Sequence, residues 1–585
     1  MIVRSGNFKS VPLKIVGSST FGRYYKISRE ITRNMFISDD WLVDYAGYQS
    51  ISFGQDLGNQ GRAIFTSTKL NKLIVVVDDK VWLCDAFHNQ ANQQAFSTSA
   101  IQIGTLQTAT GVVYITENNK PQIVISDGTQ IYVYDATVPS FYIADQNGLG
   151  MPITFTPGYI SFHDTYILCA ASNDTGPIPG LALNNTWRLG VIDPYNNTGK
   201  LIFPNAPQNV SYIGAIQRKP DNTQAVVPIP SKGNMIMVLG KIVGETYYDT
   251  GAQLFPYQTF NQSDFDYGCL NPATVAYLDE IVVWLAINEK SGPIIVYTNG
   301  SELKKITTDG IDYLFSQLQD PQDSQAFLYR QDGHLIYHIN FYSDNLSLFY
   351  DFNTDKFFHA SDENGNYFIA AQIAYFNNQY YFITKNNGNV YAFDTIYQTY
   401  DGALIPRERI CQHISGVDQQ YRIANDVGFT IEQGDNNPFP NRINNIIVLD
   451  GGLDYTTANI SFEGGNGVGA AATATILGGV ITAITVTNPG VNYTYSPDVI
   501  ITGDGTGARA VATLTSTNAR IDLSVSFDGG QTFGNDYPYV LNPNGHRMNK
   551  LMWWNLGMAN DMMLRFRFYA LGRFVAYDGE LNLRQ

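Results

Sequence analysis

The sequence feature that most constrains the fold is a hairpin pattern that recurs between residues 61 and 400. In each copy, an apolar run of Ile, Val, Leu and Tyr leads into a short turn with Gly, Asn or Asp, and a second alternating run follows. Alternation on both sides of such a turn is typical of antiparallel strands. The clearest copies span 73–85, 123–135, 281–297, 327–337 and 380–394, and weaker ones lie near 166–169 and 235–239. Their spacing of roughly 45–70 residues fits long blade repeats. The pattern therefore predicts a β-propeller, which most often serves as a binding platform.

Composition and charge narrow the class of protein. The chain has 585 residues, of which 44% are hydrophobic and only 15% are charged. A net charge of −16 at pH 7 argues against a general nucleic-acid binder, which needs a basic surface. An acidic wall would instead repel phosphate and let DNA slide past without sticking.

The cysteines and the hydropathy exclude several further classes. Four cysteines stand far apart, at 84, 169, 269 and 411, without a CxxC pair. Neither a disulfide framework nor a zinc site is expected, and Cys84 and Cys169 are predicted to be buried thiols because they lie inside apolar runs. The N-terminus has no apolar stretch of signal-peptide length, and no segment predicts a membrane span.

Residue composition and hydrophobic pattern divide the chain into four parts. Residues 1–60 are predicted to be an N-terminal arm with the first strands, and 61–404 the propeller. Residues 405–450 and 517–585 are predicted to form a C-terminal β-sandwich-like domain. Residues 451–516, rich in Gly, Ala and Thr, are predicted to be a β module inserted in a loop of that domain. The fold class is all-β, and the best helical candidate is Ile311–Leu318, with Asp309 as its cap.

The predicted insert has its own internal repeat. Gly452-Leu-Asp-Tyr455 recurs as Gly490-Val-Asn-Tyr493, and the glycine string 465–470 recurs as 503–508, in both cases 38 residues later. A period of this length suits a unit of a few short strands. The glycine strings lack the Gly-Lys-Ser/Thr ending of a phosphate-binding loop, so we interpret them as turns.

Two long polar stretches interrupt the predicted propeller, at about 171–186 and 244–268. The second carries the aromatic pairs Tyr247-Tyr248, Phe255/Tyr257 and Phe265/Tyr267. Exposed aromatics on long loops indicate contact surfaces. Packing of these rings against a blade is an equally good interpretation.

One segment resembles a motif of sialidase propellers. Ser526-Phe-Asp-Gly-Gly-Gln-Thr-Phe533 is similar to the Asp-box, in which the aspartate binds backbone N–H groups and glycines supply positive φ. A sialidase also needs several such boxes, an arginine cluster and a tyrosine nucleophile. With a single box outside the hairpin repeats, we interpret the segment as a structural turn anchored by Phe533.

No catalytic or metal-binding constellation emerges from the sequence. His334 and His338 would lie on one face of a strand, but two histidines without a third ligand are weak evidence for a metal. No pair of carboxylates is singled out by its spacing as a glycosidase dyad. The sequence therefore predicts no catalytic residue, no metal site and no cofactor.

The C-terminal region carries two candidate interface features. Arg565-Phe-Arg-Phe568 alternates strictly, which predicts a strand with arginines on one face and phenylalanines on the other. This strand is either a half-buried edge or a basic strip facing a partner. Trp553-Trp554 should place one large ring on each face, and one of them would suit an interface anchor.

Several short stretches resemble one known family. They are Gly17–Tyr24 with Asn34-Met35, Ser38–Asp40 and Tyr45–Tyr48, then Ile281–Leu285 with Ile306–Ile311, Tyr400–Arg407, and the closing Ser524–Phe527, Gly557 and Arg565–Phe568. These stretches are similar to tail hub proteins of short-tailed phages, also called packaged-DNA stabilisation proteins. The similarity touches about 1–60, 270–410 and 520–585. The insert departs from the family pattern and resembles repeats found in phage structural proteins.

The resemblance implies a virion protein assembled in the host cytoplasm. Such hubs form a ring, usually of six copies, below the portal and its adaptor protein. They extend the channel for double-stranded DNA without reading its sequence, retain the packaged genome, and bind tail fibres or spikes and a plug or needle. On this reading we predict interface residues, which are Arg23, Tyr24, Tyr48, Trp553, Trp554, Arg565 and Arg567. The alternative is a glycan-binding or sialidase-like propeller, motivated by the Asp-box and the aromatic loops.

Overall fold

The computed structural model describes residues 8–22, 30–89, 92–178, 180–205, 212–252, 255–260, 264–415, 421–434, 442–465, 467–491, 493, 496–514, 519–541, 548–570 and 572–584. The chain folds into two compact units. The propeller unit comprises Gly17–Ser38 and Tyr45–Asp401, and the C-terminal unit comprises Met1–Val16, Asp39–Asp44 and Gly402–Gln585.

Seven sheets make up the described part of the propeller unit, and each consists mainly of consecutive antiparallel strands. Blade 1 contains Gly61–Ser67, Lys72–Val77, Lys80–Asn89 and Asn92–Thr105; blade 2 contains Tyr114–Glu117, Gln122–Ser126, Ile131–Asp135 and Ser140–Ile143; blade 3 contains Thr156–His163, Tyr166–Ser172, Thr186–Ile192, Leu201–Ile202 and Ile213–Ala215; blade 4 contains Thr223–Pro228, Met235–Gly240, Gly244–Asp249 and Tyr257–Thr259. Blade 5 contains Gly268–Cys269, Ala276–Leu278, Ile281–Ile287, Ile294–Thr298 and Leu303–Lys305; blade 6 contains Ser324–Gln331, His334–Phe341, Leu346–Asp351 and Lys356–Ala360; blade 7 contains Ala370–Phe376, Gln379–Thr384, Val390–Asp394, Gly47–Ile51 and Thr399–Tyr400. The predicted all-β propeller fold is confirmed.

The hairpin turns follow from the sequence. Asp332 and Gly333 have φ of 49° and 86°, the backbone of a two-residue turn whose twist matches that of the flanking strands. The strands that they join are apolar and β-branched or aromatic, so they bury their side chains between neighbouring blades. Each blade therefore shares a core with the next.

The ring of blades closes between blades 7 and 1. The inner strands Ala370–Phe376 and Gly61–Ser67 lie side by side, and the Thr66 hydroxyl donates to the carbonyl oxygen of Tyr375 over 2.8 Å. The N-terminal strand Gly47–Ile51 pairs antiparallel with Val390–Asp394 and completes blade 7. A strand from the start of the chain thus holds the last blade.

The predicted N-terminal arm is divided between the two units. Ile31–Arg33 runs parallel to the outer strand of blade 6, Met35–Ser38 is a further strand of the same unit, and Gly47–Ile51 belongs to blade 7. In contrast, Phe8–Leu13 and Trp41–Asp44 pair with strands of the C-terminal unit. Residues 1–60 are therefore not a single arm, because several short strands complete sheets that the rest of the chain leaves with open edges.

The C-terminal unit contains two sheets that share an aromatic core. One consists of Phe8–Leu13, Gly579–Arg584, Arg422–Gln433, Phe574–Ala576, Trp41–Asp44 and Asn549–Ala559, and the other of Arg407–Ile410, Asp561–Tyr569, Arg520–Ser526, Tyr537–Val540 and Ile414–Ser415. A two-residue strand, Ala403–Leu404, precedes them. Phe429 of the first sheet contacts Phe566 of the second, with ring centroids 5.0 Å apart, as expected for a β-sandwich.

The insert is one six-stranded sheet, formed by Ile443–Asp450, Ala458–Glu463, Val468–Leu477, Val480–Val491, Asp498–Gly503 and Arg509–Leu514. Its first strand, Ile443–Asp450, falls in the segment predicted to belong to the C-terminal domain. It pairs with Arg509–Leu514 and lies 38 residues before the equivalent strand that starts near Ile481. The repeat unit thus begins before the glycine motifs from which it was recognised.

In this module, a tyrosine of each repeat packs on a glycine of the other repeat. The ring of Tyr455 lies over Gly505 in the second repeat, and the ring of Tyr493 lies over Gly467 in the first. Since a Cβ at either glycine would overlap the facing ring, both glycines are required by close packing. Each repeat is therefore completed by the other.

Two further predictions can be compared with the fold. The α-helix runs from Asp309 to Ser316 with Thr308 at its N-cap, so it begins earlier than predicted and Asp309 belongs to its first turn. Pro272–Thr274 is a 3₁₀ turn.

In the loop region 244–268, Tyr247 and Tyr257 pack around Trp187, with ring centroids 5.4 and 5.7 Å from that of Trp187. Packing against the blades is thus the correct interpretation for these two rings.

Candidate interaction surfaces

The strand Asn549–Ala559 places its two tryptophans on opposite faces, as predicted. Trp553 is 6% exposed and stacks on Phe429 at 5.8 Å in the sandwich core. Trp554 is 62% exposed. Trp553 therefore stabilises the sandwich, whereas Trp554 is available to a partner.

The strand that carries Trp554 and its immediate neighbours hold other exposed apolar side chains. Ile423 is the register partner of Met558 on the neighbouring strand, and the ring of Phe527 lies over Gly557. We call Ile423, Phe527, Trp554 and Met558 the C-terminal apolar patch, since all four are exposed. Exposed apolar clusters of this kind mark interaction sites. Of these four residues, only Trp554 was predicted from the sequence to lie at an interface. The alternation of Ile423 with the apolar Ala424, which is buried, is the sequence signal that could have indicated the exposure of Ile423.

Arg565 and Arg567 point away from the core, and Phe566 and Phe568 point into it, as the alternation predicts. Arg567 forms an ion pair with Asp536. The Arg565 guanidinium lies 4.4 Å from the centroid of the Phe533 ring and donates to the Ser524 hydroxyl at 3.1 Å. These internal partners favour the half-buried edge over a basic strip facing a partner.

The Asp-box-like segment is a self-contained turn. The Asp528 carboxylate accepts hydrogen bonds from the hydroxyl and the backbone N–H of Thr532 and from the N–H of Gln531. The Thr532 hydroxyl is the largest of the hydrogen-bond contributions that lower the pKa of Asp528 to about 2. Gly529 and Gly530 have φ of 72° and 85°, as predicted for this turn.

The predicted N-terminal interface residues have different outcomes. Arg23 and Tyr24 lie outside the described residues. Tyr48 is only 2% exposed and stacks on Tyr400 at 4.6 Å within the core of blade 7. The expectation that Tyr48 lies on an accessible surface is wrong, because its strand is the one that completes the propeller.

His334 and His338 are on one strand, but each has protein partners. His334 is bonded to Asp351 and Ser38. His338 Nε2 donates to Asn340 Oδ1, and Nδ1 then accepts from the Tyr45 hydroxyl at 3.0 Å. Burial lowers the pKa of His338 to about 3. In the described residues, no group of three or more His, Cys, Asp or Glu side chains could hold a metal ion.

The four cysteines are buried and unpaired, so the prediction of buried thiols at Cys84 and Cys169 is confirmed. Burial raises the pKa of both thiols to about 12, so they stay protonated near neutral pH. Among the described helices, none has the length and apolar character needed to cross a membrane.

A comparison with known families bears on the identity of the propeller. Residues 200–397 match the family described as "Bacteriophage P22 Gp10, beta-propeller". The matched segment is about a third of the chain and runs from the end of blade 3 to just past the blade 7 strand Val390–Asp394. It supports a phage structural protein built on a β-propeller, and it favours a structural virion component over an enzyme.

Solved structures give weaker similarities. The N-terminal domain of Nup159 is 10% identical, with 62% of this chain and 98% of that chain covered and a TM-score of 0.34. The RRP9 WD40 repeats are 8% identical, covering 59% and 99%, with a TM-score of 0.33. A puromycin-hydrolyzing peptidase of Mycobacterium tuberculosis is 9% identical, covering 63% and 61%, with a TM-score of 0.33. No curated protein matches the chain.

Proposed function

We propose that this chain is a subunit of a phage tail hub. Copies close a ring of six below the portal and its adaptor protein, and the ring extends the channel through which double-stranded DNA leaves. The observation that carries the proposal is the match of residues 200–397 to the phage propeller family. The resemblance of the N-terminal and C-terminal stretches to tail hub proteins supports it.

The apolar patch suits a contact between copies or with another tail protein. A ring with cyclic symmetry needs heterologous contacts, in which one surface of a subunit meets a different surface of the next. Exposed Trp and Met side chains beside polar surroundings are enriched at the centres of such contacts. We assign the C-terminal apolar patch to this role. The adaptor, the fibres or spikes, and the plug or needle are the further proposed partners.

The charge of the chain suits a wall along which DNA moves. Its net charge of −16 disfavours tight binding to phosphates. A channel that holds a genome and then releases it needs weak, sequence-independent contact with DNA. Retention in this proposal depends on closure of the ring and its plug.

The sialidase-like alternative receives no support from the arginines. In the described part of the propeller unit, arginines occur at 33, 62, 188, 218 and 330. Arg62 donates to the carbonyl oxygens of Gly111 and Thr108, and Arg188 is buried with Asp174. These two guanidiniums are occupied by structural bonds and lie on different blades.

The test is a phage with a stop codon in this gene. We expect heads that package DNA and then lose it, so that purified particles are largely empty and non-infectious. Supplying the intact protein in extracts should restore infectivity. Particles without this protein that retain the genome and infect normally would overturn the proposal.

A further inference from the structure

A cleft of about 230 Å³ lies between blades 6 and 7, beside the turns Asp332-Gly333 and Asn377-Asn378. Tyr329 and Phe393, with centroids 5.3 Å apart, form its floor. Tyr375 and Tyr380 form a wall, with centroids 4.8 Å apart. The cleft is thus an aromatic recess of a size that holds one small ring.

Tyr375 is the open side of this recess. Tyr375 is 52% exposed, and its hydroxyl donates to Asn378 Oδ1 at 3.4 Å. The neighbouring Tyr380 hydroxyl accepts from the backbone N–H of Arg330 at 3.0 Å. These bonds hold two rings at the entrance, so a ligand would meet a preformed aromatic surface.

The rim offers both a donor and an acceptor. Asp394 Oδ1 accepts from the N–H of Ile396 at 3.0 Å, which leaves Oδ2 without a partner among the described residues. Asn378 uses its Oδ1 toward Tyr375, and in the described residues its amide nitrogen has no acceptor. A carboxylate oxygen and an amide N–H beside an aromatic ring are suited to pairs of hydroxyl groups.

The charges around the cleft select against an acidic ligand. Arg330 is paired with Asp279 at 2.6 Å, so its charge is balanced within the protein. Asp332 and Asp394 line the recess. Residues 309–401 contain twelve Asp and Glu and only three Lys and Arg. An added carboxylate would meet like charges with no unpaired cation beside it.

We propose that this cleft binds a neutral pyranose unit of a polysaccharide. One face of the sugar ring stacks on Tyr375, and its hydroxyls bond to Asp394 and Asn378. The proposed tail hub function neither requires nor predicts this site, so the two stand or fall separately.

The test is ligand-observed NMR titration of the full chain. The probes are methyl glucoside, methyl galactoside, methyl mannoside, N-acetylglucosamine and rhamnose, with N-acetylneuraminic acid as the acidic comparison. We expect saturable, millimolar binding of at least one neutral sugar and weaker binding of the acidic one. Tyr375→Ala should weaken binding by about tenfold or more, and Asp394→Asn should weaken it independently.

Tyr195→Ala is the matched control, because Tyr195 is also 52% exposed but lies in blade 3. It should bind the sugar as the parent protein does, and circular dichroism should show that all three variants are folded. Absence of saturable binding by every neutral probe would overturn the proposal. Equal loss in the Tyr375 and Tyr195 variants, or tighter binding of the acidic sugar, would also overturn it.

Discussion

The propeller and the inserted module are both built from repeats, but they close in different ways. In the propeller, Gly47–Ile51 from the start of the chain pairs with Val390–Asp394 near the end of the unit. In the module, each repeat supplies the tyrosine that packs on the glycine string of the other. One closure joins distant parts of the chain, and the other joins neighbours 38 residues apart.

This difference determines which parts of the chain depend on each other. A closing strand drawn from far away makes the N-terminal segment indispensable, because without it blade 7 exposes an unpaired edge. Reciprocal packing of adjacent repeats closes only short loops, so the entropy cost of loop closure is low and involves the module alone. We therefore expect the propeller to fail as a whole and the module to fail alone.

The largest effect is expected from the closing strand. Tyr48→Ala removes a ring that stacks on Tyr400 and contacts Phe382 edge-on at 5.2 Å. Loss of a buried aromatic side chain costs about 3 to 5 kcal/mol. Scanning calorimetry should show a markedly lower melting temperature for the propeller transition. The exposed control Tyr195→Ala should leave it unchanged, and equal effects of the two would contradict the closure account.

In the inserted module, the largest losses of stability are expected from substitutions of a tyrosine and of the glycine on which it packs. Tyr455→Ala should destabilise it by about 2 to 4 kcal/mol, and Gly505→Ala should do so as well because its methyl overlaps the Tyr455 ring. Because Tyr455 packs on a glycine of the other repeat, the free-energy changes of these two substitutions should be strongly non-additive.

The crossed pair, Tyr455→Ala with Gly467→Ala, should be additive, because Gly467 faces Tyr493. Rates of limited proteolysis of the module rank the stabilities of the three single and two double variants. The reverse pattern of coupling would mean that each repeat packs on itself.

Acid should destabilise the propeller through His338, which is buried in blade 6. Burial lowers the folded-state pKa of His338 to about 3, whereas an unfolded histidine titrates near 6.5. Below pH 6.5 only the unfolded chain takes up the proton, so this contribution to stability is complete above pH 6.5 and is lost toward pH 3. The slope is about 1.4 kcal/mol per pH unit.

Denaturation midpoints of the parent and of His338→Phe between pH 7 and 4 provide the measurement. The variant should be less stable at pH 7, since Tyr45 and Asn340 lose their partner, but its stability should fall less steeply with acid. Parallel slopes would show that other groups cause the acid sensitivity.

The smallest effect on stability is expected at the apolar patch. Trp554→Ala should change the free energy of unfolding by no more than about 0.5 kcal/mol, because the ring is exposed. Its neighbour Trp553 stacks on Phe429. Replacing Trp553 by Ala should therefore lower the free energy of unfolding several times more. If the patch is an interface, only the Trp554 variant combines normal stability with reduced self-association in sedimentation experiments.

The sequence was sufficient to predict the local features of both regions. Alternation predicted the blade hairpins and the inward and outward rings of Trp553 and Trp554, because side chains of a strand alternate between its faces. The Asp528 turn followed from residue types that favour such backbone geometry.

Features that depend on distant pairing could not be predicted. Gly47–Ile51 carries no signal that it belongs to blade 7, so the sequence does not reveal that Tyr48 is buried. The number of blades was hidden because the hairpins are irregularly spaced. The strand Ile443–Asp450 lacks the glycines that mark the rest of its repeat, and the patch around Ile423 exists only once two strands are paired.

Cross-linking mass spectrometry of purified phage particles tests the central claim most directly. The account predicts this chain in the tail, with cross-links between its own copies and to the adaptor ring bound to the portal. Detection of the protein in infected-cell lysate but not in purified particles, or only in cross-links to head proteins, would contradict the account.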